Sequence, residues 1–245
     1  MVEPRRPDRP ATRRRTWRGV AAILLLAGLS AAYTFRNPWF RGNFGVVDDG
    51  LVYRSAQPLG DWPGLIGGRK IATVLDLRGG SEADPWYAAE VAASRSLGFD
   101  FYDLPLAATA RPSRKQLLAA LDLLARCKYP LLIHCKSGSD RTGLLAGLYL
   151  MARKGVPPEQ AEAAFSVYYG HVPLLGTRHL HEPFREYAAW LAAHQIPHTP
   201  DRLRDWVAQD YRADDPPGAI EPLAPGPRDR RVVRASARSD GPAQR

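Results

Sequence analysis

The stretch Pro130-Leu-Leu-Ile-His-Cys-Lys-Ser-Gly-Ser-Asp-Arg-Thr-Gly143 constrains this chain more than any other. Its first four residues are an uncharged run of strand length, and the segment beginning at Leu144 repeats apolar residues at Leu144, Leu148 and Met151 until Gly155 can stop a helix. A strand without a polar face is covered on both sides, which requires a largely parallel sheet between helices. Strand, short loop and helix together aim backbone N–H groups and a helix N-terminus at one point, which makes an anion site. The flanking sequence repeats this alternation. Val46 to Arg54 reads as an entry hairpin turning at Asp49-Gly50, Ile71 to Leu77 and Phe99 to Leu104 as strands, and Pro85 to Leu97 as a helix. Ser113 and Gln116 form a capping box for a helix whose inward face is Leu117, Leu121 and Leu124, and further helices begin near Pro158 and His179. The predicted class is α/β, with a central mostly parallel sheet flanked by helices and the loop lying between a strand and a helix.

The charge is unevenly spread. Of a formal +9, residues 1–41 hold nine arginines against Glu3 and Asp8, whereas residues 42–212 hold nineteen basic and eighteen acidic side chains. The folded part is therefore nearly neutral, and nucleic acid is not an expected partner. Seven arginines precede an uncharged run from Gly19 to Phe35, with Arg36 behind it. Seventeen helical residues span roughly 25 Å, slightly less than a ~30 Å hydrocarbon core, so the run reads as a signal anchor or a cleavable signal peptide. Trp17, Tyr33, Trp39 and Phe40 stand where an interfacial aromatic belt would, which favours the anchor. The positive-inside rule then places the rest outside the cytoplasm, on the periplasmic side, or secreted if the signal is cleaved. The expected organisation is a basic cytoplasmic N-terminus at 1–18, the signal helix at 19–35, a catalytic domain at 42–212 and a Pro-rich disordered tail at 213–245. With only Cys127 and Cys135, the chain has neither a disulfide framework nor a cysteine zinc site, though the two could bridge reversibly; Cys127 is expected to be a buried free thiol.

Cys135 begins the loop and Arg141 ends it, with five residues between. The helix dipole, loop amides and guanidinium favour a thiolate there, and Arg141 can clamp two phosphoryl oxygens as a lysine could not. Thr142 is placed to donate a proton to the sulfur when it leaves, and Gly138 lets the backbone turn toward a ligand. The segment resembles the H-C-x5-R-[S/T] signature of cysteine-dependent protein tyrosine and dual-specificity phosphatases. The resemblance runs from about Val46 to Tyr187. Tyr53-Arg-Ser-Ala-Gln-Pro58, Val74-Leu-Asp-Leu-Arg78 and Tyr169-Gly170-His171 look like segments of an atypical bacterial branch of that superfamily. It implies phosphomonoester hydrolysis through a phosphocysteine on Cys135, with Lys136, Ser137, Gly138, Ser139, Asp140 and Arg141 cradling the phosphate, and with no cofactor or metal.

The resemblance leaves the general acid open. Where typical members carry an aspartate after the strand Phe101 to Leu106, this chain has Ala108 and Thr109. Asp140 within the loop, similar to the aspartate of G-K-D-R-T-G phosphatases, is the preferred substitute, and Asp103 at the strand end is the alternative, read otherwise as a surface carboxylate. Lys136 resembles a loop lysine of phosphoinositide phosphatases, but Ser139 replaces their second lysine. Phosphotyrosine, phosphoserine/threonine proteins and phosphoinositides all remain as substrates. His171, His179 and His181 read as surface or capping residues, and Arg54 and Arg78 as strand-end arginines of the kind that usually serve packing and salt bridges, with facing the anion pocket as the alternative. Two rivals stand beside the enzyme reading: a phosphate-binding pseudophosphatase tethered to the membrane as an interaction module, and, ranked lower, a rhodanese-like sulfurtransferase.

Overall fold

The computed structural model describes residues 11–34, 36–37 and 41–211. The tail expected at 213–245 and residues 1–10 of the basic N-terminus lie outside the described residues. Strands β1 (Gly45–Asp48), β2 (Val52–Ser55), β3 (Thr73–Asp76), β4 (Asp100–Asp103) and β5 (Leu131–His134) form one sheet in the order β1-β2-β5-β3-β4. Only β1 pairs antiparallel, with β2; the other three pairings are parallel, as the apolar strands require. The β1–β2 hairpin turns through Asp49-Gly50, where Gly50 takes φ +72°.

Side-chain alternation divides the strands between two cores. Tyr53, Val74, Phe101 and Leu132 share one face, covered by α2 (Trp62–Arg69) and α3 (Pro85–Leu97) through Trp62, Ile66, Tyr87 and Ala93. Leu75, Tyr102 and Ile133 face the larger core, built from α4 (Arg114–Arg126), α5 (Asp140–Lys154), the short α6 (Pro158–Ala161), α7 (Glu182–His194) and α8 (Pro200–Gln209). Burying a large apolar side chain such as Phe184 contributes ~1.5–3 kcal/mol. The capping box expected at Ser113 and Gln116 closes reciprocally, and α3 keeps the bounds read from the sequence.

Three differences are informative. Helix α2 was not anticipated because Gly64, Gly67 and Gly68 disguise it, yet Asp61 caps it and Trp62 and Ile66 bury its inner side. Helix α8 was also missed, although Thr199 accepts from the Arg202 N–H and Pro200 opens the first turn, a cap-then-proline signal. The helix expected near Pro158 gives way after one turn to a 3-10 turn at Glu162–Ala164, and the one expected near His179 begins only at Glu182. At the N-terminus, α1 (Ala11–Thr34) begins before the apolar run, and Ile23, Leu24, Leu25, Leu26 and Leu29 are all exposed on it. Among the described residues, no helix is long and apolar enough to cross a membrane.

Candidate active site

The loop from Cys135 to Ser139 joins β5 to α5 at the carboxyl end of the parallel strands, where open α/β sheets bind ligands. Gly138 adopts φ +69°, and a Cβ there would lie 2.5 Å from the Ser55 carbonyl and the Ala56 nitrogen, so only glycine fits between loop and β2. Two side chains hold the outer side of the loop. Arg54, on the α5 face of β2 and 2 % exposed, donates to the Gly138 carbonyl at 2.9 Å and the Ser139 carbonyl at 3.2 Å, and to the Ala164 carbonyl at 2.7 Å. Its guanidinium also lies 3.8 Å from the centre of the Tyr169 ring. Asn43 donates to the Ser137 carbonyl at 2.7 Å and the Tyr169 carbonyl at 2.8 Å. Because a trans peptide points its C=O and the following N–H in opposite directions, drawing three carbonyls outward turns the N–H groups of Gly138, Ser139 and Asp140 toward the other side. That is an anion cradle held from behind. Burial lowers the Arg54 pKa to about 10, against the pull of Tyr169 and Cys135, and leaves the group charged at neutral pH.

Within this frame Cys135 is buried at the base of the loop, and Lys136 and Ser137 are exposed at its rim. Arg141 reaches across the strand ends, with Nη1 3.4 Å from the Leu77 carbonyl and 3.3 Å from that of Leu106. The buried Oγ1 of Thr142 has no hydrogen-bond partner among the described residues, nor does Nε of Arg141. Both cysteines are buried and free, as expected for Cys127, whose thiol burial pushes up.

Beneath the loop is a buried charged group that the sequence reading missed. His134 Nε2 lies 2.6 Å from Glu90 Oε1 with neither side chain exposed, and His134 Nδ1 is 3.8 Å from Asp76 Oδ1. Gln57 donates to the other Glu90 oxygen at 2.9 Å, and its backbone N–H reaches the Lys136 carbonyl at 3.3 Å. Burial disfavours charge on His134, yet the Glu90 carboxylate, assisted by Asp76 and Cys135, lifts its pKa to about 9. Burial raises Asp76, against the pull of His134. The glutamate's helical spacing on α3 would have marked it only as an inward-facing carboxylate.

Three sequence expectations change, those for Asp103, His171 and His181. Asp103 is not a surface residue: it is 8 % exposed, and Tyr87 donates to its Oδ2 at 3.2 Å on the α3 face of the sheet. Arg54 and Arg78 take the packing role of strand-end arginines: Arg54 supports the loop from behind, and Arg78 covers the Trp86 ring at 3.8 Å. His171 and His181 are buried rather than on the surface; only His179, half-buried against Glu182 at 2.6 Å, behaves as read. His171 Nδ1 lies 2.7 Å from Asp140 Oδ1, which also accepts from Ser139 Oγ at 3.2 Å. No group of three or more residues able to hold a metal occurs among the described residues.

The sequence pattern of the tyrosine phosphatase family matches residues 41–167, which include the loop, β1 to β5 and the Arg54 and Asn43 supports. The chain belongs to the tyrosine phosphatase family. It is a cysteine-based phosphatase of the tyrosine/dual-specificity type, which removes the sulfurtransferase reading. Among solved structures it is similar to TpbA of P. aeruginosa, at 22% identity over 69% of this chain and 99% of that one, with a TM-score of 0.47. The catalytic core of the PP-IP phosphatase SIW14 of S. cerevisiae, solved with citrate, is 21% identical over 64% of this chain and 96% of that one, with a TM-score of 0.47. PTPMT1 is 18% identical over 62% of this chain and 99% of that one, with a TM-score of 0.45. No curated protein matches the chain.

Proposed function

We propose that this family member hydrolyses phosphotyrosine on proteins at a membrane surface, with Cys135 as nucleophile. The observation that carries the reading is the cradle itself, whose amides are turned inward by Arg54 and Asn43 above a buried cysteine. Phosphorus accepts the Cys135 sulfur while the bond to the leaving oxygen breaks, and Arg141 with the loop amides neutralises the equatorial oxygens. Asp140 supplies the leaving oxygen with a proton and later takes one from the water that cleaves the phosphocysteine. The unpartnered hydroxyl of Thr142 is free to donate to the departing sulfur. Asp103 is the weaker candidate acid, since Tyr87 holds its carboxylate on the face away from α5. A phosphoinositide is the second reading, favoured by the exposed Lys136 at the rim. The membrane location, with catalysis outside the cytoplasm, rests on the arginines before Gly19 and on the exposed leucines of α1.

Phosphate release by the full chain in detergent, beside Cys135→Ser, tests the reading on phosphotyrosine peptide, phosphoserine peptide and phosphoinositide vesicles. Release dependent on Cys135 and fastest on the phosphotyrosine peptide is the expected result. Preference for vesicles would select the lipid reading, and tight phosphopeptide binding without release would make the protein a pseudophosphatase.

A further inference from the structure

The Asp140 carboxylate is the inner end of a hydrogen-bonded chain. His171 Nδ1 lies 2.7 Å from Asp140 Oδ1, His171 Nε2 lies 2.8 Å from His181 Nε2, and His181 Nδ1 lies 2.6 Å from Glu162 Oε1. Each separation suits one shared proton. The Glu162 end, on the 3-10 turn after α6, is 24 % exposed, so the chain runs from the catalytic loop to solvent. Phe165 fixes both rings, stacking on His181 at 4.1 Å and lying 4.8 Å from His171. Phe165 is itself held against α5, where a Cβ on Gly143 would meet its ring at 2.8 Å.

Proton counting shows what such a chain holds. Three gaps between two carboxylates and two imidazoles need three protons, whereas two neutral imidazoles carry only two. The third proton makes the pair cationic or resides on Glu162. Either way the array stores one transferable proton beside a site that lacks the usual aspartate.

We propose that His171 and His181 are positioning residues that store, next to Asp140, the proton delivered to the leaving oxygen. The proposal rests on Asp140 being the acid and adds where its proton comes from. An ordinary carboxylate has lost its proton by about pH 4, whereas an imidazole keeps its own to about pH 6.5. As the sulfur–phosphorus bond forms, Asp140 passes to the leaving oxygen a proton drawn from His171 Nδ1. His171 Nε2 takes the Nε2 proton of His181, which changes from cationic to neutral. In hydrolysis the water oxygen bonds phosphorus and the sulfur–phosphorus electron pair returns to Cys135. The water proton then runs back through Asp140 and His171 to His181, so the cycle closes.

Among the described residues, the charged groups facing the chain include Glu162 on its turn, Arg185 on α7 at 2.9 Å from Glu162, and Arg141, the residue after Asp140. Arg54 lies behind the same loop, bonded to the Ser139 and Ala164 carbonyls. Burial lowers the His181 pKa, opposed by Glu162, so the store is loaded on the acid side of neutrality and empties as pH rises.

The test compares kcat/KM across about pH 4 to 9 for the full chain and for Asp140→Asn, His181→Gln and His171→Asn. The substrates are p-nitrophenyl phosphate, whose leaving group needs little help, and phenyl phosphate, whose leaving group needs an acid. Asp140→Asn is expected to slow phenyl phosphate by about 100-fold. His181→Gln is expected to keep the native rate at the acid end and move the alkaline limb at least about one pH unit downward, slowing phenyl phosphate about tenfold or more along that limb. p-Nitrophenyl phosphate should change by less than about twofold. His171→Asn retains a donor to Asp140 but cannot pass a proton on, and should show the same displacement. If both histidine variants merely scale the profile by one factor at every pH while Asp140→Asn is slow, the relay is overturned and Asp140 stands as the acid. An unimpaired Asp140→Asn would remove the acid itself and the relay with it.

Discussion

Gly138 and Gly155 share a backbone conformation, at φ +69° and +66°, but not a neighbourhood. A Cβ on Gly155 meets nothing within 4 Å, whereas one on Gly138 would strike the backbone of Ser55 and Ala56. Gly155→Ala should therefore cost only the left-handed penalty, ~1–2 kcal/mol, and leave turnover intact. Gly138→Ala should cost more and abolish turnover, because the loop must leave β2. Urea unfolding and p-nitrophenyl phosphate turnover of both variants check this, and equal losses would show that loop and strand are not in register. The loop residues were legible in the sequence because their chemistry is local: a cysteine, an arginine after five intervening residues, and a glycine between. Asn43 and Glu90 were not, since each acts on the loop from another element and carries no spacing signal of its own; Arg54 was named, but not its grip on the loop carbonyls.

At the scale of elements, α3 and β5 are joined by the buried His134–Glu90 pair. An unfolded histidine loses its proton near pH 6.5, whereas the folded one keeps it to about 9. Between those values the folded state binds more protons, so stability is full below the lower value and falls as pH rises through the upper one. Urea unfolding from about pH 6 to 9.5 should show that decline. A flat or rising curve would mean that His134 is neutral in the fold. The alternation of strands and helices was readable because β3 and β5 lie in short, buried and mostly apolar runs. Helix α2 was not, because three glycines weaken it; α8 was passed over although its Thr199 cap and its Leu203, Trp206 and Val207 stripe are local signals, and Trp206 meets Tyr187 and Tyr211 in the core. The histidine chain escaped notice because His171 and His181 are ten residues apart, and only the turns at Val167–Tyr169 and Leu175–His181 bring their rings together.

At the scale of the molecule, the arginines and exposed leucines of the N-terminal segment predict lipid binding. Flotation of the full chain with anionic vesicles at high salt distinguishes insertion from attraction. An inserted α1 stays with lipid, whereas arginines held only by surface charge are released as screening rises. Release at high salt would leave a peripheral protein.

The latch at Asn43 has a mechanical consequence should α1 enter a membrane. Asn37 donates to Asn43, and Asn43 donates to the catalytic loop, so the chain is gripped within a few residues of the end of α1. The nine steps from Thr34 to Asn43 can stretch to roughly 30 Å at most. With α1 embedded, this short leash would confine the working radius of Cys135 to a thin shell over the bilayer. A phosphate carried far out on a tall ectodomain would pass beyond its reach, while the same group close to the surface would meet the enzyme repeatedly.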